Sequence, residues 1–420
     1  MFLRNQILQS RKDVAACGKI RSVLYIEKYE ASLRLFMITN TKAMRKFFKH
    51  ILKESLSFLL KFVPIKKNRW IFGAWQGKAY ADNPKYLFEY IISDHPEIEV
   101  VWITKSHSVQ ESVSSQGFKC YYYFSLKGIL YTITAEVCFE SEGNWDISPL
   151  LTGKTIIIQL WHGVAPKKAN WSSFNKYNWL GQYWMVSSDQ NKRTMLSLVE
   201  SDDAHMFVTG YPRNDVFEIS MPVSPIITSI EKKYNNAKKL IYMPTHRNFE
   251  KGHFPFSLND LINLDESLIN NNLVLLYKPH FHELSFISSL NYSFSNIIFP
   301  DGPAYNDIYS YIKDFDLLIS DYSSIIYDFL CSNKPIVLFP YDIISFSSSD
   351  AGLFDTYTQQ PIAPFCFTWK EVIDTSIELL SNDTWIERRR NFRNIVHPFH
   401  DGRNRERVFK QVVFLTRKKH

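Results

Sequence analysis

The 420-residue chain has few cysteines (5) and few glycines (14), and no long uninterrupted apolar run. Its cysteines, Cys17, Cys120, Cys138, Cys331 and Cys366, are scattered, with no CxxC pair. That argues against a disulfide framework and a structural zinc site, and fits a reducing compartment. No apolar stretch approaches the ~18–20 residues of a spanning helix. The opening MFLRNQILQSRKD lacks the apolar core and small-residue cleavage site of a secretory leader. These absences predict a cytoplasmic protein. Neither GxGxxG nor a Walker sequence occurs, which disfavours a dinucleotide cofactor and a P-loop. The segment HFH at 280–282 has no third ligand at fitting spacing, and no carboxylate cluster is evident. No metal and no cofactor are expected. Internal repeats and low-complexity tracts are missing as well.

What is present is ample material for large cores. Hydrophobic residues make up 45% and aromatics 15% of the chain, and its length suits two domains. The net charge of +7 is unevenly spread. Residues 1–70 hold 16 Lys/Arg against 4 Asp/Glu, and residues 385–420 hold 11 against 3, so the body between is acidic. Such a distribution does not suit a nucleic-acid clamp; it suits a protein whose ends meet an anionic surface. Within 44–62, Phe47, Phe48, Ile51, Leu52, Phe58, Leu59 and Phe62 recur at helical spacing, with Lys46, Lys49, His50, Lys53 and Lys61 between them. A basic amphipathic helix of this kind fits an anionic membrane surface, or packs on its own domain.

From residue 69 onward, short β-rich runs alternate with helical patterns. RWIFGAW (69–75), IEVVWIT (98–104), FKCYYYF, AEVCFES, KTIIIQLW, YWMVSS and AHMFVTG form a first series. KKLIYMP (238–244), NLVLLYKP (272–279), SNIIFP (295–300), DFDLLISD (314–321) and KPIVLFP (334–340) form a second. Buried strands alternating with helices predict an α/β protein with two doubly wound parallel sheets. The proline-bearing stretch 217–236 reads as the boundary between them.

In open parallel sheets ligands lie beyond the C-terminal strand ends. At those positions stand His162 and Gly163, Gly210 to Arg213, Thr245 to Arg247, His280, and Asp321 to Ser324. This collection of histidines, arginines, hydroxyls and a carboxylate predicts a polar cleft. A helix starting near Ser324, with two hydroxyls, would make a seat for phosphate oxygens, or simply be N-capped by Asp321 or Ser323. Taken singly, each candidate also has a plain structural reading. A strand-end histidine can be a structural hydrogen-bonder, Arg213 and Arg247 surface ion-pair partners, and Lys167 and Lys168 a solvated helix end. Asp328, one turn beyond Ser324, reads as solvent-facing.

Several segments in order then resemble one family. They are GKAYADNPKYLFEYI (77–91), QLWHGVAPKK (159–168), VTGYPRNDVF (208–217), YMPTHR (242–247), YKPHFHE (277–283), DFDLLISDYSSIIYDFLCSNKPIVLFPYD (314–342) and DGRNRERV (401–408). Together they are similar to the CDP-glycerol:poly(glycerophosphate) glycerophosphotransferases of teichoic-acid and capsule synthesis. His246 stands where the family pattern has tryptophan, and 343–363 departs from the pattern. The resemblance implies a GT-B architecture: two Rossmann-like domains facing a cleft, here with a basic amphipathic N-terminal extension. The corresponding division is an extension 1–64, an acceptor-side domain 65–225, a donor domain 226–395, and a C-terminal helix, 396–420, returning to the first domain.

The resemblance also implies a function. Polyol phosphate, glycerol phosphate first and ribitol phosphate as the alternative, would pass from a CDP-linked donor to a hydroxyl of a lipid-linked saccharide or phosphopolymer, releasing CMP. His162 would be the general base, and His280 would meet the pyrophosphate. Arg247, Thr245, Asp321, Ser323, Ser324, Gly210 and Arg213 would serve the donor. Gly163, Lys167, Lys168 and Asn83 would serve the acceptor. Attachment would be peripheral, on the cytoplasmic face of the membrane. A GT-B glycosyltransferase using a nucleotide sugar and a non-enzymatic membrane scaffold are the competing classes.

Overall fold

The computed structural model describes Leu60, residues 62–148, 154–163, 182–199, 201–245, 256–279, 283, 287, 289–349, 353 and 355–419. The chain forms two units, Met1–Val63 and Pro64–His420. The second carries the architecture. The helix expected over 44–62 lies outside the described residues except for its end.

Among the described residues twelve strands build two sheets. The first contains β1 (Lys66–Phe72), β2 (Glu99–Thr104), β3 (Cys120–Tyr122), β4 (Ala135–Glu140), β5 (Ile156–Gln159), β6 (Tyr183–Val186) and β7 (Met206–Val208). Its order is β3-β2-β1-β4-β5-β6-β7, and every pairing is parallel. The second contains β8 (Lys238–Met243), β9 (Leu273–Tyr277), β10 (Ile297–Ile298), β11 (Leu317–Ser320) and β12 (Ile336–Leu338). Its order is β10-β9-β8-β11-β12, again parallel. Each expected β-rich run contains one of these strands. Their continuous apolar character reflects burial on both faces: β4, β5, β9, β11 and β12 are buried at every position.

Each sheet has a point where the strand order reverses, between β1 and β4 in the first and between β8 and β11 in the second. At such a point the connecting helices leave toward opposite faces and open a crevice at the strand ends. The helix Asp82–Asp94 covers the first sheet through Leu87, Phe88 and Ile91, which pack with Trp70, Phe72 and Trp102. The last helix, Asn404–Lys419, adds Val408, Phe409, Val412 and Leu415 to the same core. The stretch 217–236, expected as the boundary, is partly helical. Pro225 opens the helix Pro225–Lys233, a position that tolerates its missing N–H, and Ile227 and Ile230 join the core under the second sheet.

Candidate active site

The turn after β5 is the most constrained feature of the first sheet's C-terminal edge. Gln159 is fully buried, and its Oε1 accepts from the Trp161 N–H at 2.9 Å. Trp161 is thereby held at φ 54°, in the left-handed region that costs a tryptophan roughly 1–3 kcal/mol. Its indole fills a core with Trp184, Met195 and Tyr211. Asn83, at the start of the helix Asp82–Asp94, donates from Nδ2 to the carbonyls of Leu160 (3.2 Å) and Trp161 (2.8 Å). The outcome is a sharp bend that turns His162 out of the core.

His162 is half-buried, and its Nδ1 lies 3.2 Å from the Ser141 carbonyl just after β4. A carbonyl can only accept, so Nδ1 carries a proton, and in the neutral form of the ring the basic lone pair is on Nε2. Gly163 has φ 123°, and a Cβ there would lie 2.6 Å from Arg213 Nη2 and 3.5 Å from Ser324 Oγ. Glycine is required because protein atoms from both halves crowd this point. The turn after β5 therefore meets the loop after β11.

Arg213 joins the two edges. It is 2% exposed. Its Nη1 donates to Asp82 Oδ1 and its Nη2 to Asp328 Oδ2, each at 2.6 Å. Nη2 also reaches the His162 carbonyl at 2.9 Å. Tyr309 stacks 4.7 Å from the guanidinium and donates to Asp328 at 2.7 Å. Beside them the His397 ring is buried, with Nε2 3.8 Å from Asp328 and Nδ1 3.3 Å from Asn214 Nδ2. Burial holds its pKa down at about 4, so the ring is neutral near pH 7. Breaking a buried pair of this kind by removing one partner typically costs about 3–5 kcal/mol. A second tie crosses between the sheets where Lys85 and Tyr86 bond Asp307.

This geometry changes several expected roles. Arg213, expected on the donor side, is instead buried in ion pairs with Asp82 and Asp328, and its bond to the His162 carbonyl positions the His162–Gly163 turn. Asn83, expected on the acceptor side, is fully buried and holds the same turn. Gly210 packs against the start of the last helix, where a Cβ would fall 2.0 Å from Asn404 Oδ1. Asp328 does not face solvent. A fragmentary signal was available for it in the SSIIYD spacing from Ser324, but Tyr309 and His397 carried none.

On the second sheet's edge, Asp321 is fully buried and accepts from the Thr245 N–H at 2.9 Å and the Tyr322 N–H at 2.5 Å. It thus fixes the loops after β8 and β11 at the reversal point. Ser323 and Ser324 follow, both half-buried, before the helix Ile325–Phe329. Ser323 Oγ lies 3.5 Å from the Ile325 N–H at that helix start. Lys278, just past β9, has its pKa lowered by burial to about 8, and its ammonium lies 4.3 Å over the Tyr305 ring. Lys167, Lys168, Arg247 and His280 lie outside the described residues. Among the described residues no group of three or more His, Cys, Asp or Glu could hold a metal.

The first sheet's reversal point carries acidic chemistry that the sequence did not suggest. Asp146 accepts from the N–H groups of Gln76 (2.7 Å), Ser141 (2.6 Å) and Glu142 (2.8 Å). Burial and Asp146 push the Glu142 carboxyl up to about 7. Burial likewise raises the Glu140 carboxyl well above its ordinary range.

Residues 55–414 match the family model of the CDP-Glycerol:Poly(glycerophosphate) glycerophosphotransferases. The chain belongs to this family. It is 24% identical over 408 residues to the teichoic acid glycerol-phosphate transferase of Staphylococcus aureus (strain NCTC 8325 / PS 47), covering 90% of this chain and 100% of that protein. It is 27% identical over 363 residues to the teichoic acid poly(glycerol phosphate) polymerase of Bacillus subtilis (strain 168), covering 79% of this chain. The chain spans only 46% of the length of that polymerase. Among solved structures it has the fold of the wall teichoic acid polymerase TagF, with TM-score 0.72, 20% identity, and coverage of 90% of this chain and 98% of that one. The segments that suggested the family are therefore the ones that shape the site: WHG forms the strained turn, and SDYSS the loop facing it.

Proposed function

We propose that the chain transfers polyol phosphate, glycerol phosphate first, from a CDP-linked donor to a hydroxyl of a lipid-linked saccharide or phosphopolymer, in teichoic-acid or capsule-type synthesis. The observation that carries this reading is the meeting of the His162–Gly163 turn with Ser324 across the two sheet edges. On this reading His162 is a base from one half and Ser323–Ser324 a phosphate-seating loop from the other, which suits a GT-B cleft between two Rossmann-like domains.

The acceptor hydroxyl loses its proton to His162 Nε2 while its oxygen attacks the β-phosphorus of the donor. The bond from that phosphorus to the bridging oxygen breaks, CMP leaves, and a phosphodiester remains on the acceptor. Phosphoryl transfer of this type is largely positioning and charge stabilisation. Ser323 and Ser324 seat the pyrophosphate, Arg247 offers a planar fork to its oxygens, and His280 meets the leaving phosphate. Lys167 and Lys168 hold acceptor phosphate. The acceptor is met at the cytoplasmic membrane surface, where the basic segment 44–62 attaches the protein peripherally.

Chromatography of the nucleotide released from a panel of CDP-glycerol, CDP-ribitol and UDP-sugars tests the class. Acceptor-dependent CMP from CDP-glycerol is expected. UDP release would instead make the chain a glycosyltransferase, and no release from any donor would leave the scaffold.

A further inference from the structure

Trp75 is a large apolar side chain left 41% exposed at the first sheet's reversal point. It follows β1 directly, and three successive residues there, Trp75, Gln76 and Gly77, have φ of 50°, 58° and 77°. Two of the three are non-glycine residues in a conformation that costs roughly 1–3 kcal/mol each. Cross-ties hold them there. The Trp75 N–H donates to Ser141 Oγ at 3.2 Å, and the Gln76 N–H to Asp146. The Gly77 carbonyl accepts from Thr104 Oγ1 at 2.8 Å. A surface indole has no need of such a frame for packing.

Its position relative to His162 is the deciding point. The two ring centroids are 5.9 Å apart and tilted by 45°. Ser141 fixes both groups at once, accepting from His162 Nδ1 at its carbonyl and from the Trp75 N–H at its hydroxyl. The indole is thus registered to the imidazole through one residue. It stands on the first sheet's edge, whereas Ser323 and Ser324 belong to the second. An apolar, polarisable face beside a base that takes a hydroxyl proton suits a ligand that is flat and apolar on one side and hydroxylated at its rim. A pyranose ring has that form, with C–H groups on its face and hydroxyls at its edge; an open glycerol phosphate chain has no such face.

We infer that Trp75 is the acceptor platform, on which a terminal hexopyranose ring lies with one hydroxyl directed at His162. Trp75 is a specificity-determining residue for acceptors that end in a sugar ring over those that end in glycerol phosphate. This rests on the reading of the chain as a CDP-polyol transferase.

The test compares wild type with Trp75→Ala, Trp75→Leu and Trp75→Phe. The probes are an alkyl-diphosphate-linked disaccharide and the same molecule capped with glycerol phosphate. With the disaccharide, Trp75→Ala and Trp75→Leu raise the acceptor KM on the order of tenfold, the loss of one stacked face. Trp75→Phe restores most of it. The KM for CDP-glycerol and the KM for the capped acceptor stay within about twofold, which also shows that each variant is folded. An unchanged disaccharide KM in Trp75→Leu, equal loss with Leu and Phe, or a shift in the donor KM overturns the platform. Calorimetric binding of the disaccharide without donor separates the two readings. If wild type binds it and Trp75→Leu does not, but no CMP is ever released, the platform stands and the transferase reading fails.

Discussion

At His162 the chemistry depends on a tautomer, and a neighbouring backbone group sets it. The Ser141 carbonyl accepts from Nδ1–H, which on the proposed reading leaves Nε2 to meet the acceptor hydroxyl. His162→Ala is expected to lower turnover by about 10²–10⁴, the usual worth of a general base, with CDP-glycerol affinity unchanged. Near-wild-type turnover in a folded variant would reject the role. His397 makes a different prediction, about stability. Its folded pKa of about 4 lies below the value of about 6.5 for an exposed imidazole. As pH falls, the unfolded chain binds a proton near 6.5 and the folded one only near 4. Stability that is fully present above pH 6.5 is therefore lost between 6.5 and 4, by about 3 kcal/mol in all. Arg213 and His400 oppose the charged form, and Asp328 favours it. Glu142 has the opposite sign: its raised pKa of about 7 removes stability as pH rises from the ordinary carboxylate range toward 7. Urea midpoints of wild type and His397→Gln across pH 4–7 isolate the first effect. The variant should lose less stability on acidification, and parallel curves would contradict the assignment.

Among the elements, strands were the most legible, because a strand covered on both faces is a continuous apolar run bounded by polar turns. AEVCFES, KTIIIQLW and KPIVLFP needed no long-range information. The helix Pro225–Lys233 was obscured by its prolines, one of which begins it. The cross-sheet network was not legible, since Arg213, Asp328, Tyr309 and His397 are far apart in the chain and converge only when the two sheets meet. Position at a strand end picked out His162, Gly163 and Ser324, and a Cβ at Gly163 would lie 3.5 Å from Ser324 Oγ. It also picked out Arg213, Asn83 and Gly210, which the structure buries in bracing contacts, because the same place in a sheet serves for bracing as well as for binding. The segment 44–62 carries a prediction of its own. Each Lys or Arg near an anionic surface contributes about 1 kcal/mol, an effect that fades within a Debye length. Changing Lys46, Lys49, Lys53 and Lys61 to glutamate should release the protein from anionic liposomes while sparing turnover of a short soluble acceptor. Undiminished sedimentation with liposomes would place attachment elsewhere.

At the scale of the molecule, two parallel sheets offer their reversal points to one region, and buried ion pairs from Arg213 and Asp307 brace them together. On the proposed reading the base comes from the first edge and the phosphate-seating loop from the second, so neither half holds the chemistry alone. The central claim is that the bond broken lies between the β-phosphorus and the oxygen bridging to CMP. CDP-glycerol labelled with ³²P at the β-position reports on that bond directly. Label is expected in the acceptor product, with unlabelled CMP in solution in equal amount. Label retained on the released nucleotide, with only glycerol transferred, would contradict it.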